Sequence, residues 1–233
     1  MQRDLLNRLL NARDRKLPAA HLRWLDRGEE QLVIAEETVT DSSLDEVVRA
    51  AVGDALRLDR GITVDTEDGR LFVQPFNPPL RLIVVGAVHI AQALVPMAGL
   101  SGYEVVVVDP RRAFASDQRF PDVTVSQEWP DEALEALAID ARTAVVTLTH
   151  DPKLDDPALD VALRSDAFYI ASLGSRRTHA ARLERLQALG HNEDTLKRIH
   201  GPAGLALGAV SPAEIAISVM AEMTKVLRGN EAA

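Results

Sequence analysis

The stretch Arg81-Leu-Ile-Val-Val-Gly-Ala-Val-His-Ile-Ala91, followed by Val105-Val-Val-Val-Asp109, constrains the fold of this chain more than any other feature. A short apolar run meets a glycine, and a helical pattern begins at once. A second apolar run then ends in an acidic residue, about 20 positions on. This is the layout of a nucleotide-binding βαβ unit. One position departs from it: the pattern asks for Gly86-x-Gly-x-x-Ala91, and its second glycine is Val88. That glycine ordinarily lets backbone approach a pyrophosphate, and a valine side chain stands in the way. The expectation is a ligand that carries phosphate but is not ordinary NAD.

The rest of the chain organises around this unit. Segments 82–85, 105–108, 123–125, 144–148 and 168–171 are apolar runs that suit a parallel sheet buried on both faces. Helical patterns fall at 90–100, 131–137, 157–163, 176–189 and 212–227. Asp156-Pro157 and Ser211-Pro212 place a capping residue before a proline at the first helical position, and Ser211-Pro-Ala-Glu214 is also a capping box. The expected fold class is α/β: a parallel sheet of strand order 3-2-1-4-5 flanked by helices, over residues 80–233. Residues 1–79 read as a small α+β domain. It has a helix over 1–16, strands at 21–25 and 32–35, and a helix opened by the capping box Ser43-x-x-Glu46. A hairpin follows, of 62–66 and 71–75, around Glu67-Asp68-Gly69. Asn77-Pro78-Pro79 marks the boundary.

Composition closes several alternatives. A net charge of −9 argues against a general nucleic-acid binder. No apolar stretch is long enough to span a bilayer, and no N-terminal segment resembles a signal peptide, so a cytoplasmic location is expected. The chain has no cysteine. It therefore makes no disulfide or thiolate metal site, and it cannot carry sulfur as its own persulfide.

In an open parallel sheet, ligands bind beyond the carboxyl ends of the strands, where strand order reverses. The first strand ends at Gly86-Ala87-Val88-His89, and the fourth at Thr147-Leu148-Thr149-His150-Asp151-Pro152-Lys153. The fifth ends before Gly174-Ser175-Arg176-Arg177-Thr178-His179. Three of the six histidines thus fall on one rim. Gly174 to Arg177 opens a helix, so backbone amides and two guanidinium groups can take an anion there; the alternative is a solvated basic turn. Asp109 can hold a ribose hydroxyl or cap its own turn, and Arg111 and Arg112 follow it. His150 with Asp151 is the candidate for proton handling; the alternative is an Asp-Pro turn with a passive histidine. His89, His150 and His179 fit no standard zinc spacing, and no metal site is expected. The loop holding His200, Gly201 and Gly204 either admits a ligand or merely connects. Trp24, Trp129 and the leucines of the first helix are read as core or interface.

Taken together, several segments resemble the XdhC/CoxI family of molybdenum-enzyme accessory proteins. They are Gly86-Ala-Val-His-Ile-Ala91, Asp109-Pro-Arg-Arg-Ala-Phe114, Arg119-Phe-Pro121, Thr149-His-Asp-Pro-Lys-Leu-Asp155, Tyr169 to His179, Arg198 to Leu205 and Pro212-Ala-Glu-Ile215. The resemblance implies a Rossmann-type domain that binds the molybdopterin cofactor, protects it during sulfuration and passes it to an apo molybdenum hydroxylase. That client would be of the xanthine dehydrogenase or carbon monoxide dehydrogenase type. It implies a cofactor-binding chaperone rather than an enzyme. Without cysteine, the sulfur would have to come from a partner cysteine desulfurase. A homodimer is the default assembly. The site so implied comprises Gly86, Ala87, His89, Asp109, Arg111, His150, Lys153, Gly174, Ser175, Arg176, Arg177, His179, His200, Gly201 and Gly204. An NAD(P)-dependent oxidoreductase and a non-catalytic adaptor are the alternative functions.

Overall fold

The computed structural model describes residues 3–35, 44–116 and 118–229. The chain divides into two compact units, Met1–Pro78 and Pro79–Ala233.

In the first unit, β1 (Ala19–Trp24), β2 (Glu30–Ile34), β3 (Ile62–Thr66) and β4 (Gly69–Phe76) form an antiparallel sheet of order β2-β1-β4-β3. Strand residues alternate between its faces. Ala20, Leu22 and Val33 pack with Val48, Ala51, Val52 and Ala55 of one helix, α2 (Glu46–Leu58). Ala19, Leu32 and Ile34 pack instead with Leu9 and Ala12 of the other, α1 (Arg3–Asp14). The hairpin is tighter than the sequence suggests: Thr66 pairs with Gly69, so β4 starts at the glycine, held at φ +109°. Helix α2 begins at Glu46 behind Asp45, which makes no side-chain cap. Ser43, the other half of the expected capping box, lies outside the described residues. Trp24 packs against the core, whereas Trp129 is 52% exposed.

The second unit is a six-stranded parallel sheet with helices on both faces. Its elements run β5 (Leu80–Val85), α3 (His89–Leu100), β6 (Tyr103–Val108), β7 (Thr124–Ser126), α4 (Pro130–Ala136), β8 (Thr143–Thr147) and α5 (Pro152–Leu163). Then come β9 (Tyr169–Ser172), α6 (Arg176–Ala188), α7 (Glu193–Leu196), β10 (Ile199–His200) and α8 (Pro212–Arg228). The order is β10-β9-β8-β5-β6-β7. Strand β5 shows why its sequence is apolar throughout. Leu82 and Val84 pack on one face with Leu94 and Val95 of α3 and Val219 and Met223 of α8. Ile83 and Val85 pack on the other with Leu134 of α4, Leu159 of α5 and Leu186 of α6. Each fully buried aliphatic side chain contributes about 1.5–3 kcal/mol, which ties β5 to both helical layers.

The expected order of five strands is present and a sixth extends it. Strand β10 is only two residues long and shows no alternation, so its sequence reads as loop. Helix α5 also differs from expectation. It starts at Pro152, with Asp151 as cap, and runs through Pro157. Both Asp-Pro pairs carry a start signal, and the chain uses the earlier. Asp156, freed from capping, instead makes a two-pronged ion pair with Arg185, at 2.5 and 3.0 Å. Strand order reverses between β5 and β8, and the site follows from that point. Among the described residues no helix is long and apolar enough to cross a membrane.

Candidate functional site

The turn after β5 is built around Gly86. Its φ is +111°, and an added Cβ would lie 2.6 Å from Cγ2 of Thr149, the second residue beyond β8. Only glycine accepts both conditions easily. The next amide, of Ala87, donates to Oδ2 of Asp109 at 2.8 Å. Asp109 is fully buried, and its carboxylate also accepts from the Arg111 amide at 3.0 Å, Nε at 2.9 Å and Nη2 at 2.8 Å. Burial opposes its ionisation, but these donors outweigh it and hold the carboxyl below the usual range. Of the two roles open to Asp109 in the sequence, the structure shows the turn-holding one; a carboxylate so committed has little left for a ribose hydroxyl. Arg119, absent from the expected site, closes the turn from the other side. It donates to the carbonyl of Ala87 at 2.7 Å and of Phe114 at 2.9 Å, and to Gln92 at 3.0 Å.

Helix α3 starts directly on this turn. Val88 is its N-cap residue and supplies no side-chain hydrogen bond; its φ of −88° makes no demand for glycine. The Val88 side chain packs in part against the core. By contrast, Asp151 caps α5 through the Lys153 amide at 3.0 Å, and Ser175 caps α6 through the Thr178 amide at 3.1 Å. The amides of the first turn of α3 therefore lack the side-chain acceptor that α5 and α6 have. A helix start of this kind favours an anion. His89, its first residue, is exposed.

Beyond β8, the backbone of His150 turns into the left-handed region at φ 62°. This is uncommon for a non-glycine residue. Asp155 holds it there, accepting from the His150 amide at 3.0 Å and from Thr149 Oγ1 at 2.6 Å. Burial pushes the Asp155 carboxyl above its usual range despite these donors and Arg182. The His150 ring is exposed, and no hydrogen bond joins it to Asp151, whose carboxylate is occupied as the α5 cap. Lys153 is exposed as well. The geometry brings His150 and Asp151 to the rim but does not pair them for proton transfer.

Beyond β9, Gly174 adopts φ +147° and Arg176 and Arg177 are exposed on the first turn of α6. His179 turns inward instead: its Nδ1 is buried without a partner among the described residues, and a Cβ on Gly201 would fall 2.1 Å from it. Burial, then Arg182, lower its pKa. Gly201 precedes a cis proline, and Gly204, at φ +92°, leaves a Cβ only 2.3 Å from Ser218 Oγ. The Gly204 amide donates to Glu222 at 2.9 Å, as does the Tyr169 hydroxyl at 2.6 Å, and His200 lies 3.4 Å from the same carboxylate. His179, Gly201 and Gly204 thus lie where the loop meets α6 and α8, and His200 lies beside Glu222 of α8.

The Gly86 turn, Asp109–Arg111, the Thr149–Asp155 turn and the start of α6 converge on the carboxyl ends of β5, β6, β8 and β9. Around them His89, Arg112, Lys153, Arg176 and Arg177 are exposed, while the carboxylates of Asp109 and Asp155 are buried. A chain of net charge −9 so presents a cationic rim. Among the described residues there is no group of three metal-ligating side chains. Sequence reasoning misses Thr149, Asp155, Arg119 and Arg182 as site-building residues. Their only signal is that the first three fall inside the motif-bearing segments.

Fold and rim define an open α/β domain with exposed cations where strand order reverses. The family model of the XdhC Rossmann domain matches residues 82–223, and the chain belongs to that family. It is 33% identical over 151 residues to the molybdenum cofactor insertion chaperone PaoD of Escherichia coli K12, covering 65% of this chain and 41% of that protein. It is 31% identical over 154 residues to a probable xanthine dehydrogenase subunit from Bacillus subtilis, covering 66% of this chain and 44% of the relative. An uncharacterized E. coli protein, YqeB, is 34% identical over 158 residues, 67% of this chain and 29% of its own length. The chain thus spans less than half the length of these relatives. A solved structure described as a xanthine dehydrogenase from Bacillus halodurans superposes with a TM-score of 0.69 at 24% identity, over 99% of this chain and 66% of that one, and shares the fold.

Proposed function

We propose that this protein assists maturation of a molybdenum hydroxylase by binding the molybdopterin cofactor at the rim and handing it to the apoenzyme. One observation carries the reading: a helix start without a side-chain cap, on a glycine turn braced by buried Asp109, set in a rim of exposed cations. The names of two relatives, a cofactor insertion chaperone and a probable xanthine dehydrogenase subunit, support the same direction.

The donor set suits the group. Molybdopterin carries one phosphate, and the α3 amides with Lys153, Arg176 and Arg177 would hold it. The exposed His89 and His150 would face the ring system. Bound, the cofactor supplies the molybdenum–dithiolene chemistry that its client uses. The residues of this chain bind it, orient it and shield it from water. With no cysteine, the protein leaves sulfuration to a partner such as a cysteine desulfurase. We infer a cytoplasmic homodimer as the working form.

The test is anaerobic calorimetry of the purified protein with molybdopterin and with NAD(P)H, side by side. Preferential binding of molybdopterin is expected. Arg176→Ala with Arg177→Ala should weaken it by a few kcal/mol, since charge-assisted contacts contribute about 1.5–3 kcal/mol each. Preferential NAD(P)H binding would overturn the reading in favour of an oxidoreductase.

A further inference from the structure

Arg182 heads the fully buried side chains by size, at 1% exposure. Its Nη2 donates to the carbonyl of Leu173 at 2.8 Å and lies 3.6 Å from where a Cβ of Gly174 would stand. The same atom is 3.9 Å from Oδ2 of Asp155, which is itself 1% exposed. Nε and Nη1 meet no acceptor among the described residues. Asp155 in turn holds the Thr149 hydroxyl and the His150 amide. One buried ion pair therefore joins two rim turns that are distant in sequence. One keeps His150 at φ 62°, the other keeps Gly174 at φ +147°.

This arrangement is unfavourable for a packing role. Withdrawing a guanidinium from water opposes folding, and here burial lowers the Arg182 pKa despite Asp155 and Asp156. An apolar side chain of similar size would fill the same space without that penalty. What an apolar residue cannot do is donate to the Leu173 carbonyl and place a positive charge beside the Asp155 carboxylate at once.

We propose that Arg182 is a positioning residue. Through the Leu173 carbonyl and Asp155 it sets the spacing between the Gly174–Ser175 turn and the His150 turn, so that both engage one anionic ligand. The ligand half of this inference rests on the reading of the rim as a molybdopterin site; the coupling of the two turns does not.

Two measurements on the full chain separate these halves. The first is molybdopterin affinity of the wild type, Arg182→Met, Arg182→Lys, Asp155→Asn and the Met/Asn double variant. The second is amide hydrogen exchange at His150 and at Thr178, whose amide is bonded to Ser175 Oγ, with Leu94 and Met223 reporting global opening. Arg182→Met should weaken binding about tenfold, the size expected within one interaction network. Protection should fall at His150 and Thr178 but not at Leu94 or Met223. Arg182→Lys should recover part of both, and the double variant should be no weaker than the worse single one. Binding by Arg182→Met within about twofold of wild type overturns the proposal, as does protection that falls equally at all four amides. If Arg182→Met fails to fold, Arg182→Lys decides: wild-type affinity and wild-type protection at both turns refute positioning by the forked guanidinium. A wild type that binds no molybdopterin defeats the functional reading, and the exchange data then judge the coupling alone.

Discussion

Replacing Gly86 by alanine should destabilise the second unit and disturb its rim together. The backbone there sits at φ +111°, past the left-handed well that L residues occupy at a cost of about 1–2 kcal/mol. The new methyl would meet Thr149 Cγ2 at 2.6 Å, with the Thr149 amide at 3.3 Å behind it. Such overpacking costs about 1–3 kcal/mol. Rotation of Thr149 offers little relief, because its hydroxyl is bonded to buried Asp155 at 2.6 Å. That bond contributes about 1 kcal/mol or more itself. The sum is a loss of roughly 2–5 kcal/mol, or about 4–20 °C in Tm for a unit of this size. Gly99 is the control. It lies in α3 with nothing within 4 Å of an added Cβ, so Gly99→Ala should gain up to about 1 kcal/mol from helix propensity. Thermal melts by circular dichroism and urea titrations of both variants measure the contrast. A Gly86→Ala protein that melts within about 2 °C of wild type would refute the packing argument at the centre of the rim.

Two further substitutions test the turn chemistry. Asp109→Asn should cost about 2–3 kcal/mol at neutral pH, less than a fully buried pair would, because the Arg111 side chain is 37% exposed. Since the folded carboxyl titrates below its unfolded value, the wild-type advantage should be present above about pH 4 and vanish as pH falls through the folded pKa; urea unfolding across that range checks it, and a gap that ignores pH counts against the ion pair. Val88→Gly should raise affinity for NAD(P)H and for dinucleotide forms of the cofactor, read by calorimetry, because it restores the glycine that the dinucleotide pattern asks for at this position; unchanged affinity removes that explanation of the departure at position 88.

The rim was partly legible in the sequence because much of it is local chemistry. Gly86 after an apolar strand, Ser175 before a helix and exposed arginines at 176 and 177 are signals carried by neighbours in the chain. The inward histidine, His179, and the arginine beneath it are different. Both lie on α6, whose sequence is polar on most sides, so no apolar stripe marks the face turned inward. Arg182 reads as a surface residue until the Gly174 turn and Asp155 close over it. Asp109 likewise stands where a ribose ligand belongs by pattern, and only the arrival of the Ala87 amide shows what its carboxylate does.

By itself the sequence determined that residues beyond Pro79 form a parallel sheet, with glycine turns and helix starts at the strand ends. Runs apolar on both faces, glycine at a positive-φ turn and caps before prolines are properties of a few adjacent residues, and they survive without knowledge of neighbours. Tertiary structure alone decided which charges would lie inside. It chose the earlier of two Asp-Pro starts for α5, added a two-residue strand at the edge, and buried Asp109, Asp155 and Arg182 while leaving Lys153, Arg176 and Arg177 exposed. The physical reason is that a charge tolerates burial only beside partners from distant segments, and those partners are named by the fold.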